Sequence, residues 1–395
     1  MPTTPRKARV LLKDGNARVV TKTPFVIQLN YATGETKQEI IAGMDTGSKN
    51  VGCAAIANGG VLYQSEIQLR TDVSKKMEQR KMYRRNRRGR KTRYRAPRFL
   101  NRGKVGWLAP SIRSKIGSHL REKRFVESIL PVTRWKVETA SFDIHKITNP
   151  DVKGVDYQNG AQKGFYNAKA FVLHRDNYKC HSGMKQKHSK KLHVHHIQFR
   201  SNGGTNTPSN LITLCEDCHE DLHAGKFEFT AKKSKTKHAT EIGIIKSQLK
   251  KLWSFEETFG YETKFKREQC LGLPKTHDND AIAICCEDGE WVGLSSTSYL
   301  KRHVASGDYR QTKGKRSEIC IPTGKLFGLR KFDRIQTSKG TGFVKGKRSR
   351  GDFAVATLGG RVVSNGVSVK KNCQRLQART TTLIEERVTA IHPHG

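Results

Sequence analysis

Three carboxylates stand beside apolar stretches in widely separated parts of the sequence. Asp45 follows the run IIAGM, Glu138 follows the short predicted strand RWKV, and Asp280 lies in the segment THDNDA. Apolar neighbours predict partial burial, and a buried carboxylate without a partner is costly. Convergence of the three on metal ions would offset that cost. Two Mg²⁺ ions about 4 Å apart, bridged by carboxylates, activate a water and stabilise the leaving oxygen in phosphodiester cleavage.

A histidine accompanies the third carboxylate. His277 precedes Asp280 by three residues at the start of a predicted helix, so both side chains are expected to face one way. His277 could ligate a metal or move a proton. The alternative is structural at each position, with Asp45 beginning a turn, Glu138 at a strand edge and Asp280 capping a helix.

A second group of candidates combines histidine, asparagine and cysteine. The sequence KLHVHHI at 191–197 predicts a strand, FRSNGGTNTPSN a polar loop, and LITLCEDCHEDLH the opening of a helix. Adjacent side chains on a strand point to opposite faces. One of His195 and His196 can therefore reach a metal, while the other is re-aimed by the bend at the loop. The amide of Asn210 can brace that loop. The alternative is a purely structural zinc knuckle.

Cysteine usage indicates metal binding rather than disulfides. Nine cysteines in 395 residues are too sparse for a disulfide scaffold. The candidates for a structural zinc site are Cys180, Cys215 and Cys218. Gly183 stands where the usual paired pattern has another cysteine, and three thiolates alone make an incomplete tetrahedral site. Either His181 or His188 completes the site, or the metal is weak or absent.

A basic run lies inside the chain, at residues 75–98. It holds thirteen Lys/Arg and a single acid, Glu78. Its residue types favour a helix, which Gly89 weakens and Pro97 ends. Guanidinium groups suit phosphates because they bind them bidentately. The alternative is a solvated insertion without a partner.

Composition favours a polyanionic partner. The chain has 75 Lys+Arg against 35 Asp+Glu, a formal net charge of +40, and 35% hydrophobic residues. Such a surplus self-repels unless DNA or RNA phosphates neutralise it. We see no long apolar run, lipidation signal or signal peptide. We therefore expect no membrane association, and a cytoplasmic protein that is nucleoid-associated in a prokaryote.

Periodicity and turn signals predict the elements that position these residues. The predicted strands are Phe25–Leu29, Glu39–Asp45, Val51–Ala57, Val61–Leu69 and Arg134–Val137. The predicted helices are Pro5–Lys13, Ser111–Ile129 with Ser111 as its cap, and Glu241–Lys251. Glu39–Asp45 and the two strands after it predict a β-meander. From about residue 300 the chain is basic and glycine-rich, which predicts a small β-barrel or an open sheet.

The order of the carboxylates resembles a known fold. An Asp on an early strand, a Glu on a later strand and an Asp on a late helix resemble the RNase H-like fold in its RuvC form, split into three pieces. The resemblance implies a catalytic site of Asp45, Glu138, His277 and Asp280. Two Mg²⁺ ions would be bound there by the three carboxylates.

The histidine-rich group resembles an HNH endonuclease with a ββα-metal site. This resemblance implies that His195 and His219 bind one Mg²⁺ ion. His196 would be the general base on water, and Asn210 would tie the loop and orient the base.

Taken together, the motifs resemble the IscB family, compact transposon-associated relatives of the type II CRISPR effector nucleases. The implied fold is α+β and multidomain. The implied domains are a small N-terminal (PLMP-like) domain at 1–38, RuvC piece I at 39–70, an arginine-rich bridge helix at 71–102, RuvC piece II at 103–160, an HNH nuclease domain at 161–235, RuvC piece III at 236–299 and a target-interacting β-rich domain at 300–395. The family has a short strand before the PLMP motif, so we expect a late start or a trimmed first domain.

The family resemblance also implies partners. A guide RNA would pair with one strand of double-stranded target DNA, and the protein would read only a short adjacent motif. HNH would cut the paired strand and RuvC the displaced strand, in a monomeric ribonucleoprotein. The implied RNA-binding residues of the bridge helix are Arg80, Arg84, Arg85, Arg87, Arg88, Arg90, Arg93 and Arg95. The rival functions are an unguided HNH or RuvC nuclease and an inactive nucleic-acid-binding scaffold.

Overall fold

The computed structural model describes most of the chain, in two compact units. The described residues are 3–34, 38–90, 106–139, 164–183, 187–199, 204, 206–229, 237–287, 292–306, 325–348, 350–369 and 373–388. The first unit combines Met1–Ser141 with Glu241–Gly395, and the second is Phe142–Thr240. Arg93 and Arg95 of the basic run lie outside the described residues.

Both units contain helices and strands, and long runs of strands occur in the described parts of residues 17–68 and 297–388 of the first unit, which makes the fold α+β as predicted. The helices are α1 (Pro5–Lys13), α2 (Val73–Gly89), α3 (Pro110–Ile129), α4 (Ala168–Arg175), α5 (Glu216–His223), α6 (Lys237–Leu252), α7 (Gly260–Phe265) and α8 (His277–Cys285). The strands are β1 (Ala17–Lys22), β2 (Phe25–Leu29), β3 (Ile41–Asp45), β4 (Asn50–Ala57), β5 (Gly60–Gln68), β6 (Arg134–Glu138), β7 (Leu192–His196), β8 (Leu211–Cys215), β9 (Glu256–Thr258), β10 (Thr297–His303), β11 (Arg334–Thr337), β12 (Gly340–Lys347), β13 (Asp352–Ala356), β14 (Val362–Ser368), β15 (Cys373–Gln377) and β16 (Thr382–Val388). None of the described helices is long and apolar enough to cross a membrane.

One sheet of the first unit collects strands from distant parts of the sequence. Among the described residues its order is β16-β10-β5-β4-β3-β6-β9. β3, β4 and β5 form the predicted antiparallel meander. β6 adds in parallel to β3, and β9 adds in parallel to β6. Residues far apart in the chain are thereby placed side by side at the carboxyl ends of β3 and β6.

The sequence of β4 explains why this sheet is covered on both faces. NVGCAAIA is a run of small apolar residues, buried from Val51 onward. Cys53 and Ala55 pack in a core with Val126 of α3, while Ala54 packs in another core with residues of α8. Alternation along the strand therefore distributes one short apolar run between two helix layers.

A buried ion pair ties β10 to α3. Lys301 Nζ lies 2.8 and 2.9 Å from the two carboxylate oxygens of Glu122. Tyr63 donates a hydrogen bond of 2.6 Å and Ser65 one of 3.0 Å to the same carboxylate. The lysine Nζ also sits 3.5 Å from the centre of the Phe125 ring. Both charges are thus satisfied within the core, which a buried pair requires.

The basic region after residue 300 forms an open sheet, the second of the two predicted alternatives. Its described strands have the order β14-β13-β12-β11-β15. Ile335, Phe353 and Val355 are buried in its core. The last strand, β16, belongs instead to the large sheet, where it pairs with β10.

The second unit contains a ββα arrangement. β7 and β8 pair as an antiparallel hairpin, with His196 opposite Leu211, and α5 follows β8 directly. Leu214 and Leu222 form a small core with two cysteines, Cys215 and Cys218.

Element boundaries differ from the sequence predictions at a few points. α3 begins at Pro110 with Ala109 as its cap, so the prediction of Ser111 as cap is wrong. Proline at the first helical position is favoured because its missing N–H needs no partner there. The helix of the basic run spans Val73–Gly89 within the described residues, which agrees with Gly89 as a weak point.

Candidate functional site

Asp45 and Glu138 lie opposite each other at the carboxyl ends of two parallel strands. The register of β3 and β6 pairs these two residues directly. Asp45 is 8% exposed. The sequence supplies the apolar residues that bury both strands, and the parallel pairing then sets the two acids side by side at one end of the sheet.

The start of α8 is brought onto this edge by a glycine. Gly52 is the β4 partner of Asp45. A Cβ at Gly52 would lie 1.7 Å from the carbonyl oxygen of His277, so only glycine allows the helix to approach so closely. The His277 ring contacts the first carboxylate, with Nδ1 2.6 Å from Asp45 Oδ2. The structure therefore places His277 against Asp45.

Asp280 faces a buried arginine that the sequence analysis missed. Arg267 Nε lies 2.7 Å from Asp280 Oδ1, and the arginine side chain is 4% exposed. Arg267 is held in a π-helical segment, Lys266–Cys270, between α7 and α8. A single arginine in a charged stretch gave no sequence signal for this contact, because the contact depends on how that segment packs against α8.

Burial and mutual proximity raise the pKa values of Glu138 and Asp280. Burial and the nearby Asp45 carboxylate raise the pKa of Glu138 to about 7. Burial and Asp45 also raise the pKa of Asp280, against the opposing effect of Arg267. The hydrogen bond to Asp45 raises the pKa of His277. A cluster of acids that resists ionisation favours a divalent cation, and carboxylate oxygens are ligands that Mg²⁺ prefers.

The ligand atoms of the three carboxylates lie farther apart than those of two other groups of metal-ligating side chains. In the described part of the chain, the groups of three or more metal-ligating side chains whose ligand atoms all lie within 4.8 Å of one another are both in the second unit. His277 and Arg267 neutralise part of the acidic charge where a bound cation would do so. Asp45 is in contact with His277, and Asp280 is in contact with Arg267.

One of the tight groups consists of His195, His219 and His223. The structure brings the two predicted ligands together and adds His223, which the sequence analysis missed. The signal was present, because His219 and His223 are four apart and share one face of α5. The buried Nε2 atom of His195 has no hydrogen-bond partner in the described structure. A buried nitrogen without a partner, facing two more imidazoles, fits a metal ligand.

The protonation of this histidine group suits a cation. Burial, together with His219 and His223, lowers the pKa of His195 to about 4. Burial also lowers the pKa of His219, with His223 contributing. Both imidazoles are therefore neutral near pH 7, which is the form that ligates metal.

His196 points the other way and is oriented by Asn206. Its Nε2 atom lies 2.9 Å from Asn206 Oδ1. An amide oxygen only accepts hydrogen bonds, so Nε2 carries the hydrogen and Nδ1 keeps its lone pair. The imidazole can then take a proton at Nδ1. Sequence reasoning missed Asn206 because it is one of several asparagines in a polar loop.

Asn210 braces the loop, as its position suggested. Its Oδ1 accepts a hydrogen bond of 2.8 Å from the Gln198 N–H, and its Nδ2 donates one of 3.1 Å to the Gln198 carbonyl. A Cβ at Gly204 would lie 1.8 Å from that carbonyl. Asn210 and Gly204 together fix the loop, while the Oδ1 of Asn206 accepts the hydrogen bond from His196.

The other tight group is Cys180, His188, Cys215 and Cys218. His188 Nδ1 lies 3.6 Å from Cys215 Sγ and 3.8 Å from Cys218 Sγ. His181 points elsewhere, since its Nε2 lies 3.2 Å from the Asp176 carbonyl. Although burial opposes it, hydrogen bonds from the Cys218 backbone and His188 lower the pKa of Cys215 to about 6. Three sulfurs and one imidazole form a complete tetrahedral donor set for zinc.

The described arginines of the basic run are all exposed. No residue of α2 is buried. The exposed arginines are Arg80, Arg84, Arg85, Arg87, Arg88 and Arg90. Like charges four residues apart, such as Arg80 with Arg84, destabilise a helix by a few tenths of a kcal/mol each. A polyanion bound along the surface of such a helix relieves this repulsion and stabilises the helix.

Comparison with known families agrees with these sites. Residues 179–225 match the family model described as HNH endonuclease, and residues 1–160 match the one described as RRXRR protein. A search of curated proteins gave no match. The chain therefore carries an HNH endonuclease domain, in which the ββα arrangement and its three histidines lie. It also carries an RRXRR domain, which includes the sequence RRNRR at 84–88.

Proposed function

We propose that the protein is an RNA-guided DNA endonuclease of the IscB type, with an HNH site and a separate RuvC site. The observation that carries this proposal is the coexistence of two constellations in one chain. Asp45 and Glu138 are paired at the carboxyl ends of β3 and β6, with Asp280 nearby on α8, whereas the three-histidine group lies in the HNH domain. Two separate metal-dependent sites suit the cutting of two DNA strands.

The topology of the large sheet supports the RuvC part of the proposal. The order β5-β4-β3-β6-β9, with an antiparallel meander followed by two parallel strands, is the arrangement expected of an RNase H-like core. Its carboxylates would hold two Mg²⁺ ions, which when bound activate a water and stabilise the leaving oxygen. Asp45 and Glu138 supply oxygen ligands from adjacent strands, and His277 is placed to hold or move a proton beside Asp45.

The part of the proposal that concerns the HNH domain assigns a role to each side chain of the ββα site. His195, His219 and His223 would hold one divalent cation, which when bound stabilises the scissile phosphate. His196, held by Asn206, takes the proton of the attacking water at Nδ1. Asn210 keeps the strand end and the loop in one geometry.

Guide RNA is proposed from the RRXRR domain and the charge of the chain. RRXRR domains are found in IscB-like nucleases, and the match covers the helix whose arginines are all exposed. A formal charge of +40 favours a long polyanionic partner, which a guide RNA would be. The proposed partners are one structured guide RNA and double-stranded target DNA.

Sequencing of the RNA that co-purifies with the protein from its host tests the proposal. A single structured RNA, reproducibly bound, is expected, and the reconstituted complex should cut only DNA that matches its guide segment. Heterogeneous RNA, or cutting that ignores the guide, would indicate an unguided nuclease. Substitution of Arg84, Arg85, Arg87 and Arg88 by Ala should weaken RNA binding and reduce its salt dependence. An unchanged salt slope would remove α2 from the RNA-binding surface.

A further inference from the structure

A groove of about 1040 Å³ lies in the first unit between α2 and α3. Val73, Met77 and Arg84 line it from α2, and Arg113 and Arg121 line it from α3. Its volume is at the upper end of the roughly 300–1,000 Å³ typical of small-ligand pockets. Nothing in the nuclease sites described above uses this groove.

The charge of the groove is uniformly positive. Its described lining includes arginines from both helices and no acidic residue. Arg70, at one end, is paired with Asp72 at 2.9 Å. By contrast, Arg84, Arg113 and Arg121 have no ion-pair partner within the described ranges of the chain. Guanidinium groups that have no ion-pair partner among the described residues, gathered around one cavity, favour an anionic occupant.

An exposed tryptophan stands in this cationic groove. Trp107 lies between α2 and α3 and is 62% exposed. Trp135 and Trp253, in contrast, are buried in the core with their ring centres 4.9 Å apart. Exposed aromatic side chains next to basic groups provide platforms on which unpaired bases stack.

The α3 side of the groove is formed by small residues. Ser114, Gly117 and Ser118 lie on one helix face, and a Cβ at Gly117 would meet nothing within 4 Å. The floor therefore leaves room for a planar group, and Arg113 and Arg121 lie toward the two ends of this face. A floor of small residues, an aromatic ring and flanking guanidinium groups together suit a nucleotide.

We infer that this groove binds an unpaired nucleotide of the RNA. The base stacks on Trp107, and the flanking phosphates contact Arg113 and Arg121. The inference rests on the proposed RNA partner and adds to it a position at which one base is held out of any duplex. An acidic peptide would satisfy the arginines but would leave the tryptophan without a role, so a nucleotide fits more of the observations.

Direct binding to a defined oligonucleotide tests the inference. The full-length protein, freed of co-purified nucleic acid, is titrated with a dodecamer of riboadenylate at several salt concentrations, and intrinsic tryptophan fluorescence reports stacking. The riboadenylate should quench the wild type, and Trp107→Phe should remove most of that quenching while it retains affinity. Trp107→Ala should weaken binding by about tenfold with an unchanged salt slope, since stacking is not an ionic contact.

The arginines should behave differently from the tryptophan. The double substitution Arg113→Ala with Arg121→Ala should lower the salt slope by about 1.4, because each phosphate contact to a single strand contributes about 0.7. Tyr261→Ala and Lys264→Ala, at exposed positions on α7, are matched controls and should change neither affinity nor slope. Thermal unfolding of each variant checks that the fold is intact.

Several results would overturn the inference. Equal losses for Trp107→Ala and Tyr261→Ala would show that the groove contributes nothing specific. Tighter binding of the matching deoxyadenylate would assign the groove to DNA, and equal quenching by polyglutamate would assign it to an acidic peptide. Guided cutting is measured separately. A protein that binds riboadenylate through Trp107 but ignores a guide would contradict the proposed function and leave this site intact.

Discussion

Glu138 is paired with Asp45 across two parallel strands, and this register places two acids side by side at the edge of the sheet. Burial and the neighbouring carboxylate raise the pKa of Glu138 to about 7. The folded state therefore retains a proton that the unfolded chain releases near its ordinary pKa of 4.5. Between these values the folded state binds more protons, so the free energy of unfolding falls as the pH rises.

Replacement of Glu138 by Gln should stabilise the metal-free protein at alkaline pH. Glutamine resembles the protonated acid, so in EDTA the variant should exceed the wild type by about 1–3 kcal/mol at pH 8 and equal it near pH 4.5. Melting temperatures at the two pH values measure the difference, and the exposed Glu78→Gln is the control. Added Mg²⁺ should then stabilise the wild type more than Glu138→Gln, because the histidine group of the HNH domain is intact in both proteins. Equal stabilisation of the two by Mg²⁺ would contradict the assignment of Glu138 as a metal ligand.

Single substitutions in the two sites should leave nickases. Asp45→Ala should abolish cutting of one DNA strand and His196→Ala cutting of the other, each by at least about 100-fold. Strand-specific labels on a guided duplex give both rates in one experiment. If either substitution abolished both cuts while DNA binding remained, the two-site proposal would be wrong.

Asn206 should act through the imidazole that it orients. Asn206→Ala should slow the HNH cut by about 10–100-fold and leave the other strand unaffected. Asn206→Asp keeps an acceptor at His196 Nε2 and adds a negative charge that favours imidazolium. The pH at which the HNH rate is half-maximal should therefore move upward for this variant alone. Ser209→Ala, in the same loop, is the control. A loss in Asn206→Ala that affects both strands equally would indicate misfolding instead of lost orientation.

Local sequence was sufficient to predict most of the strands and helices that carry the candidate sites. The exception is Leu211–Cys215, which was predicted to open a helix and instead forms β8, so that the helix begins at Glu216. The apolar run before Asp45 and the turn signals after it predict the meander, because these signals act within a few residues. The histidine pair at 195–196 and the helix that follows were likewise predicted from their spacing. These predictions rest on periodicity and on turn chemistry, both of which are local.

Contacts between distant segments could not be predicted in this way. Arg267 reaches Asp280 through the packing of a π-helical segment, and Asn206 reaches His196 through the path of a polar loop. The choice of His188 over His181 likewise depends on the tertiary contacts of the two imidazoles, one beside the cysteines and the other at the Asp176 carbonyl. In each case several residues of suitable chemistry were available, and only the tertiary arrangement distinguishes them.

The zinc content of variants tests whether His188 or His181 is the fourth ligand of the cysteine group, a choice that the sequence left open. His188→Ala should reduce bound zinc from one ion per chain to near zero, because three thiolates leave the tetrahedral site incomplete. His188→Cys should retain the metal. His181→Ala is the matched control, since its ring contacts a backbone carbonyl, and it should keep its zinc. Metal analysis after dialysis against a weak chelator gives the stoichiometry. Zinc lost from His181→Ala and kept by His188→Ala would reverse the assignment.

The ion pair between Lys301 and Glu122 should be among the more sensitive positions of the first unit. Lys301→Met leaves a buried carboxylate without its cation, and loss of one partner of a buried pair costs about 3–5 kcal/mol. The double variant with Glu122→Gln removes the stranded charge and should recover much of this loss. Lys76→Met breaks the exposed pair with Asp72 and should cost no more than about 1 kcal/mol. Urea unfolding of the four proteins gives these differences. If the double variant were less stable than Lys301→Met, the Glu122 carboxylate would be stabilising through its hydrogen bonds from Tyr63 and Ser65, and an unpaired charge would not be the source of the cost.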